Sequence, residues 1–172
     1  MKEHTLRSLS IAAAMLTLLP ALTSAQIVDR RSLNLEGAKT VAAAAAEEAR
    51  KSGAGGAIAV VDAGGNLLYL ERLDHTFAAA ANISIGKARS AAQFERETRV
   101  FEDAIKNGRT SLVANPELLP LQGGVPILSD GQVVGAVGVA GAMTAQQDED
   151  IAKVAAQALT VKSAAGTPGG AR

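Results

Sequence analysis

Apolar residues along this chain change their period several times, and each change marks an element. Leu35, Ala38, Val41, Ala42, Ala45 and Ala49 recur at three- and four-residue spacing, while Lys39, Glu47, Glu48 and Arg50 can face water. That spacing predicts an alanine-striped helix, opened by Asn34 as N-cap with Glu36 in its first turn. Small alanines suit it to lie close against a sheet, and the glycines at 53–56 end it. Residues 57–61 are continuously apolar, and 67–73 form a return run after Asp62-Ala63-Gly64-Gly65-Asn66. Together they predict a β-hairpin, with Asp62 shaping the turn. Tyr69 is expected to pack in or beside the sheet. Helical spacing returns over 78–94 through Ala81, Ile85, Ala88 and Ala92, with Gly86 weakening the middle. A shorter helix is expected over 99–106, stopped by Asn107-Gly108. Residues 111–119 read mostly as loop. A second hairpin follows, 125–128 and 133–139 around Ser129-Asp130-Gly131-Gln132, because Asp-Gly supplies the positive φ angles of a tight reversal. Gly135 and Gly138 inside its second strand mark a bulge or a close approach by another backbone or a ligand. A last helix covers 145–161.

The order helix, hairpin, helices, hairpin, helix predicts an α+β fold, a mostly antiparallel sheet covered by helices, as a single domain over 34–161. Residues 162–172 are rich in Gly, Pro and Ala and read as a disordered tail. Residues 1–25 have the form of a secretory signal peptide: Lys2 and Arg7, an apolar centre at 9–19, Pro20, then Thr23-Ser24-Ala25. The alternative is an uncleaved anchor, for which the apolar run is short. Export to the periplasm or medium as a soluble protein is the expectation.

Composition narrows the function. Hydrophobic residues make up 48% of the chain and aromatics only 2%, so the core must be built from Ala, Val, Leu and Ile. Formal net charge is +0 with no basic run, which gives nucleic acid no electrostatic footprint. The absence of cysteine excludes disulfides, thiolate metal sites and covalent haem attachment.

Candidate chemistry is confined by scarcity. Signal removal leaves His75 as the only histidine, so any Ser-His-Asp triad or histidine-ligated metal must use it. It stands at a strand-to-helix junction, where functional side chains gather; the alternative is an exposed loop histidine. There is no G-x-S-x-G elbow, and Ser84 reads as an ordinary helix serine. One imidazole and no thiol leave zinc little but carboxylates. Asp148, Glu149 and Asp150 either grip a hard cation or serve the positive end of the last helix. Gly64-Gly65 and Gly123-Gly124 match no nucleotide motif and read as turns, although Gly123-Gly124 also lets backbone amides approach an anion. Lys87 stands among small apolar residues. It either receives a ligand carboxylate or pairs internally with Asp74 or Asp148, and Arg72 and Arg89 are alternative cations. A lysine in such surroundings also permits an enzyme acting on a small organic acid or aldehyde, with Lys87 and Asp148 as catalytic groups. A purely structural, oligomeric partner-binding module is a third possibility.

Three segments, IAVVDAGGNLLYLERLD, ISIGKARSAAQF and QGGVPILSDGQVVGAVGVAGAMTAQQDEDI, resemble the GlcG/HbpS family of haem-binding-like proteins across 35–159. The C-terminal domain of PduO-type corrinoid adenosyltransferases belongs to the same group. The resemblance implies a profilin-like α+β sandwich that forms homo-oligomers, haem binding in some members, and a recurring lysine at the position of Lys87. Non-covalent haem needs an apolar slot, cations for its propionates and an axial ligand. Here Leu, Val and Ala can form the slot and Lys87 or Arg89 the charges. His75 is the candidate metal ligand, with Thr76 or Met143 as alternatives, and Phe77, Phe94 and Phe101 offer flat walls. So few aromatics favour a slot shared between subunits. The expected lining is His75, Thr76, Lys87 and Arg89, with close backbone approach at Gly123, Gly124, Val125 and Pro126 and at Gly138 and Gly141. The expected function is reversible haem (tetrapyrrole) binding for sensing, storage or sequestration.

Overall fold

Alternation along two central strands decides which helix covers which face of the sheet. In β1 (Ala57–Asp62), Ile58 and Val60 point to one side and Ala57, Ala59 and Val61 to the other. In β4 (Gln132–Ala140), Val137 and Val139 join the first set, and Ala136 and Ala140 the second. The larger side chains meet α1 (Leu35–Lys51) and α4 (Ala145–Ala165); the alanines meet α2 (Ala80–Gln93). Full burial of each Val or Ile in the first layer contributes about 1.5–3 kcal/mol, so that face supplies most of the apolar driving force. The second face supplies proximity instead.

This arrangement comes from a computed structural model that describes residues 30–165. The expected signal peptide and the end of the expected tail lie outside the described residues. Of these, residues 31–165 belong to one unit. Its remaining elements are β2 (Leu67–Arg72), α3 (Arg99–Lys106), a 3₁₀ turn (Thr110–Ala114) and β3 (Gly124–Ser129). The sheet order is β2-β1-β4-β3, antiparallel throughout. Each hairpin thus pairs internally, and their inner strands join at β1–β4.

Local chemistry accounts for the boundaries. Asn34 caps α1 by accepting from the Gly37 N–H at 2.9 Å. Gly53, at φ +64°, ends it: Gly53 N–H donates to Arg50 O at 3.2 Å and Ala54 N–H to Ala49 O at 2.8 Å, the paired bonds of a Schellman closure. Asp62 Oδ1 accepts from the amides of Gly64 and Asn66 at 2.8 and 2.9 Å, which folds the first hairpin's tip. Asp130 and Gly131, both at positive φ, reverse the second. Two expectations are refined. Gly86 does not interrupt α2; it makes room for Leu119, whose Cδ2 lies 2.6 Å from where a Cβ would stand. Helix α4 continues past 161 to Ala165.

Helix α2 touches the sheet backbone to backbone. A Cβ on Gly138 would lie 2.1 Å from Ser84 O and 2.6 Å from Ala88 N, and one on Gly124 would lie 2.4 Å from Lys87 O. Ala88, Ala91 and Ala92 are fully buried in the same layer. Gly138→Ala should therefore push α2 off the sheet and destabilise the fold by about 2–3 kcal/mol, read by urea denaturation. Gly64→Ala, whose Cβ would meet only side-chain atoms at 3.1 and 3.3 Å, should cost less.

Candidate functional site

Lys87 leaves α2 at the point of closest packing and runs under the end of β4. Its ammonium donates to Val139 O and to Asp148 Oδ2, each at 2.8 Å. Lysine and aspartate are 4% and 6% exposed, so the pair is sealed from water. Asp148 Oδ1 accepts from the Ala142 N–H at 2.9 Å. The pair thus holds the chain on both sides of Gly141. Gly123 completes the packing: it has φ +120°, and a Cβ there would lie 2.9 Å from Lys87 Nζ and 2.8 Å from Val139 O. This is the internal partnership with Asp148 anticipated as an alternative for Lys87. It is not an arrangement in which the two groups can reach a substrate.

The three acidic residues at the start of α4 go separate ways. Glu149 is fully buried and is met by Arg99 Nε on Oε2 at 2.8 Å and by the Lys153 ammonium on Oε1. Asp150 is exposed. They form no shared cation site, and among the described residues no cluster of three His, Asp or Glu is placed to hold a metal. Burial pushes the Glu149 carboxyl up, but Lys153, Arg99 and Gln122 together outweigh it and hold the group below its ordinary value.

A cleft opens at the start of β1. It has a volume of about 560 Å³ and is lined by Arg50, Gly53, Ala54, Gly55, Leu73, Asp74, His75 and Gly141. His75 is exposed and sits at φ +63°, a left-handed conformation that histidine tolerates better than most residues. Its imidazole makes no hydrogen bond or ion pair among the described residues. Thr76 lies beneath: its hydroxyl accepts from the Gly56 N–H at 2.9 Å and donates to Gly56 O at 3.2 Å. Gly141 has φ +104°, and a Cβ there would lie 3.1 Å from Thr76 Cγ2 and 3.3 Å from both Ala80 Cβ and Gly56 Cα.

The sequence-derived site residues therefore separate into three places. His75 and Gly141 border the cleft, with Thr76 clipped below them. Lys87, Gly123, Gly124 and Gly138 build the closed contact between α2 and the sheet, beside Val125 in the core and Pro126 on edge strand β3. Arg89 is at the opposite end of β1, where its Nε donates to Gly65 O at 3.3 Å. Phe94 and Phe101 pack edge to face on each other, 5.3 Å between centroids, whereas Phe77 and Met143 are 54% and 85% exposed. Arg50, assigned to solvent from its place on the helix, is the charged cleft residue that was missed, along with Leu73 and Ala54; Asp74 had been weighed only as a partner for Lys87. A C-terminal helix position just before a Gly-rich stop was the one signal for Arg50.

A four-stranded antiparallel sheet faced by α1 and α4 on one side and α2 on the other, with a cleft of about 560 Å³ at the His75 end and one of about 650 Å³ near Asp130 at the other, defines a small α+β domain. The chain belongs to the HbpS-like family, described as haem degrading protein HbpS-like, whose model matches residues 33–157. Protein GlcG of Escherichia coli K12 is 49% identical over 107 residues, 62% of this chain and 80% of GlcG. The crystal structure of HbpS superposes with TM-score 0.73 at 32% identity, covering 81% of this chain and 98% of HbpS. A PduOC:heme complex superposes with TM-score 0.66 at 23% identity, covering 74% and 94%, and shows the shared fold.

Two stability predictions follow from the buried charges. Lys87→Met leaves Asp148 sealed without its partner and should lower unfolding free energy by about 3–5 kcal/mol, measured in urea at pH 7. Glu149 has a depressed carboxyl in the fold, so its contribution is complete above the unfolded-state value and is lost as pH falls through the folded one. Glu149→Gln should cost about 1.5–3 kcal/mol at pH 7. It should also flatten the loss of stability between neutral and acid pH; an unchanged acid limb would contradict the assignment.

Proposed function

We propose that this chain is an exported, oligomeric module that binds haem reversibly at the His75 cleft, for sensing or sequestration. The observation that carries the proposal is the imidazole itself: exposed, unpartnered among the described residues, and set on left-handed backbone at the edge of a cleft. Family membership supports it, because the family is described by haem degradation and a neighbour of the same fold was solved with heme.

The residues present fit such a guest. His75 can ligate iron, Leu73 and Ala54 offer apolar contact, and Gly53, Gly55 and Gly141 allow close backbone approach. Lys87, Gly123, Gly124 and Gly138 serve the guest indirectly, by fixing the strand end that carries Gly141. The cleft is open, and Phe77 and Met143, two residues beyond His75 and Gly141, expose apolar surface that a second copy can cover. Assembly would then supply the walls that one aromatic-poor chain lacks. Export rests on the form of residues 1–25. No helix among the described residues is long and apolar enough to cross a membrane.

The test is a haem titration of the mature protein followed at the Soret band. A saturable shift is expected, and its absence would overturn the proposal. His75→Ala should change the bound spectrum and weaken binding at least tenfold, about 1.4 kcal/mol. An unchanged spectrum would remove His75 as the ligand.

A further inference from the structure

We infer that Arg50 is the acid anchor of the cleft, its guanidinium receiving a carboxylate of the guest while His75 meets the metal. The inference rests on the haem proposal above and adds a requirement to it: the guest must be anionic.

Arg50 borders the same cleft as His75 and Gly141. Its side chain is exposed and makes no hydrogen bond or close ion pair among the described residues; it acts on Glu47, three residues back, only through the longer-range field. The neighbouring Lys51 is spent on Glu47, and Lys87 on Asp148. The backbone under Arg50 is fixed, because Arg50 O itself accepts one of the two bonds that close α1. A planar, permanently charged fork on a rigid base suits a carboxylate better than a mobile ammonium does. Asp74, on the same rim, carries the opposite charge. An acidic guest is therefore turned away from Asp74 and toward Arg50, which gives the cleft a polarity as well as a metal ligand. None of the three cations foreseen for this role lines the cleft: Arg72 ends β2 opposite Ala57 but is not among the lining residues. Lys87 is sealed behind β4, and Arg89 is one strand length away at the tip of the first hairpin.

Ferric haem and its dimethyl ester, in which both carboxylates are masked, separate the two halves of the site. Each is titrated into full-length wild-type protein and into Arg50→Gln, in one buffer, with the Soret band as readout. Wild type should bind haem more tightly than the ester. Arg50→Gln should weaken haem about three- to tenfold, the range of a partly exposed charge-assisted contact. Its ester affinity and the bound Soret maximum should stay unchanged, because His75 is intact. Equal loss for haem and ester, or no loss for either, would overturn the role of Arg50 while leaving haem binding in place. A wild type that binds neither compound would overturn the haem proposal, and the anchor with it. Asp74→Asn gives the opposite sign: haem affinity should rise and ester affinity should not.

Discussion

A lysine ammonium withdrawn from water has to be neutralised where it sits, and the fold is arranged so that Lys87 can be. Desolvation costs several kcal/mol per ion, and only close, well-directed partners offset it. Asp148 and Val139 O provide them, and both lie on elements other than the helix that carries the lysine. The bond therefore works as a three-way fastening of α2, the end of β4 and the start of α4. It demands a glycine at 123, where any side chain would overlap the ammonium, and small residues along α2, without which the lysine could not come near enough. Glycines and lysine are one requirement seen from two sides.

That requirement also decides where a guest can and cannot go. Between α2 and the sheet there is no slack: backbone lies on backbone. On the other face, valines and isoleucines fill the space under α1 and α4. Both layers are committed, and open volume is left at the ends of the sheet. The His75 end differs from the hairpin-tip end in one chemical respect. At the tip, Asp62, Asn66, Arg89 and Gln93 satisfy one another or nearby carbonyls. At the His75 end, an imidazole and a guanidinium remain without hydrogen-bond or close ion-pair partners among the described residues.

Much of the fold was legible in the residues themselves. Periodicity placed every α-helix and strand, because alanine stripes and β-branched runs differ clearly in period, and Asn34, Gly53 and Asp130-Gly131 punctuate them with specific turn chemistry; the short 3₁₀ turn at Thr110–Ala114 fell in a stretch read as loop. The helix at 99–106 was legible to the residue. The site was only half legible, and the reason is physical. A motif built from Lys87, Gly123, Gly124 and Gly138 looks the same whether its glycines admit a ligand or another stretch of backbone, and here they admit backbone. Glu149 looked like a helix-start carboxylate because its partners, Arg99 and Lys153, come from one distant and one nearby turn. Arg50 looked solvent-facing, which it is, but the solvent it faces lies inside a cleft formed by residues 73–75 and 141.

The absence of side chains at 124 and 138 has an evolutionary corollary. Positions where one backbone rests on another have a single acceptable occupant, so they are frozen on pain of unfolding. Arg50 and Asp74 on the rim bear no such load, and exchanges at exposed positions of that kind usually alter stability by about 0.5 kcal/mol or less. The scaffold therefore tolerates change in the chemistry of its rim far more readily than change in its shape.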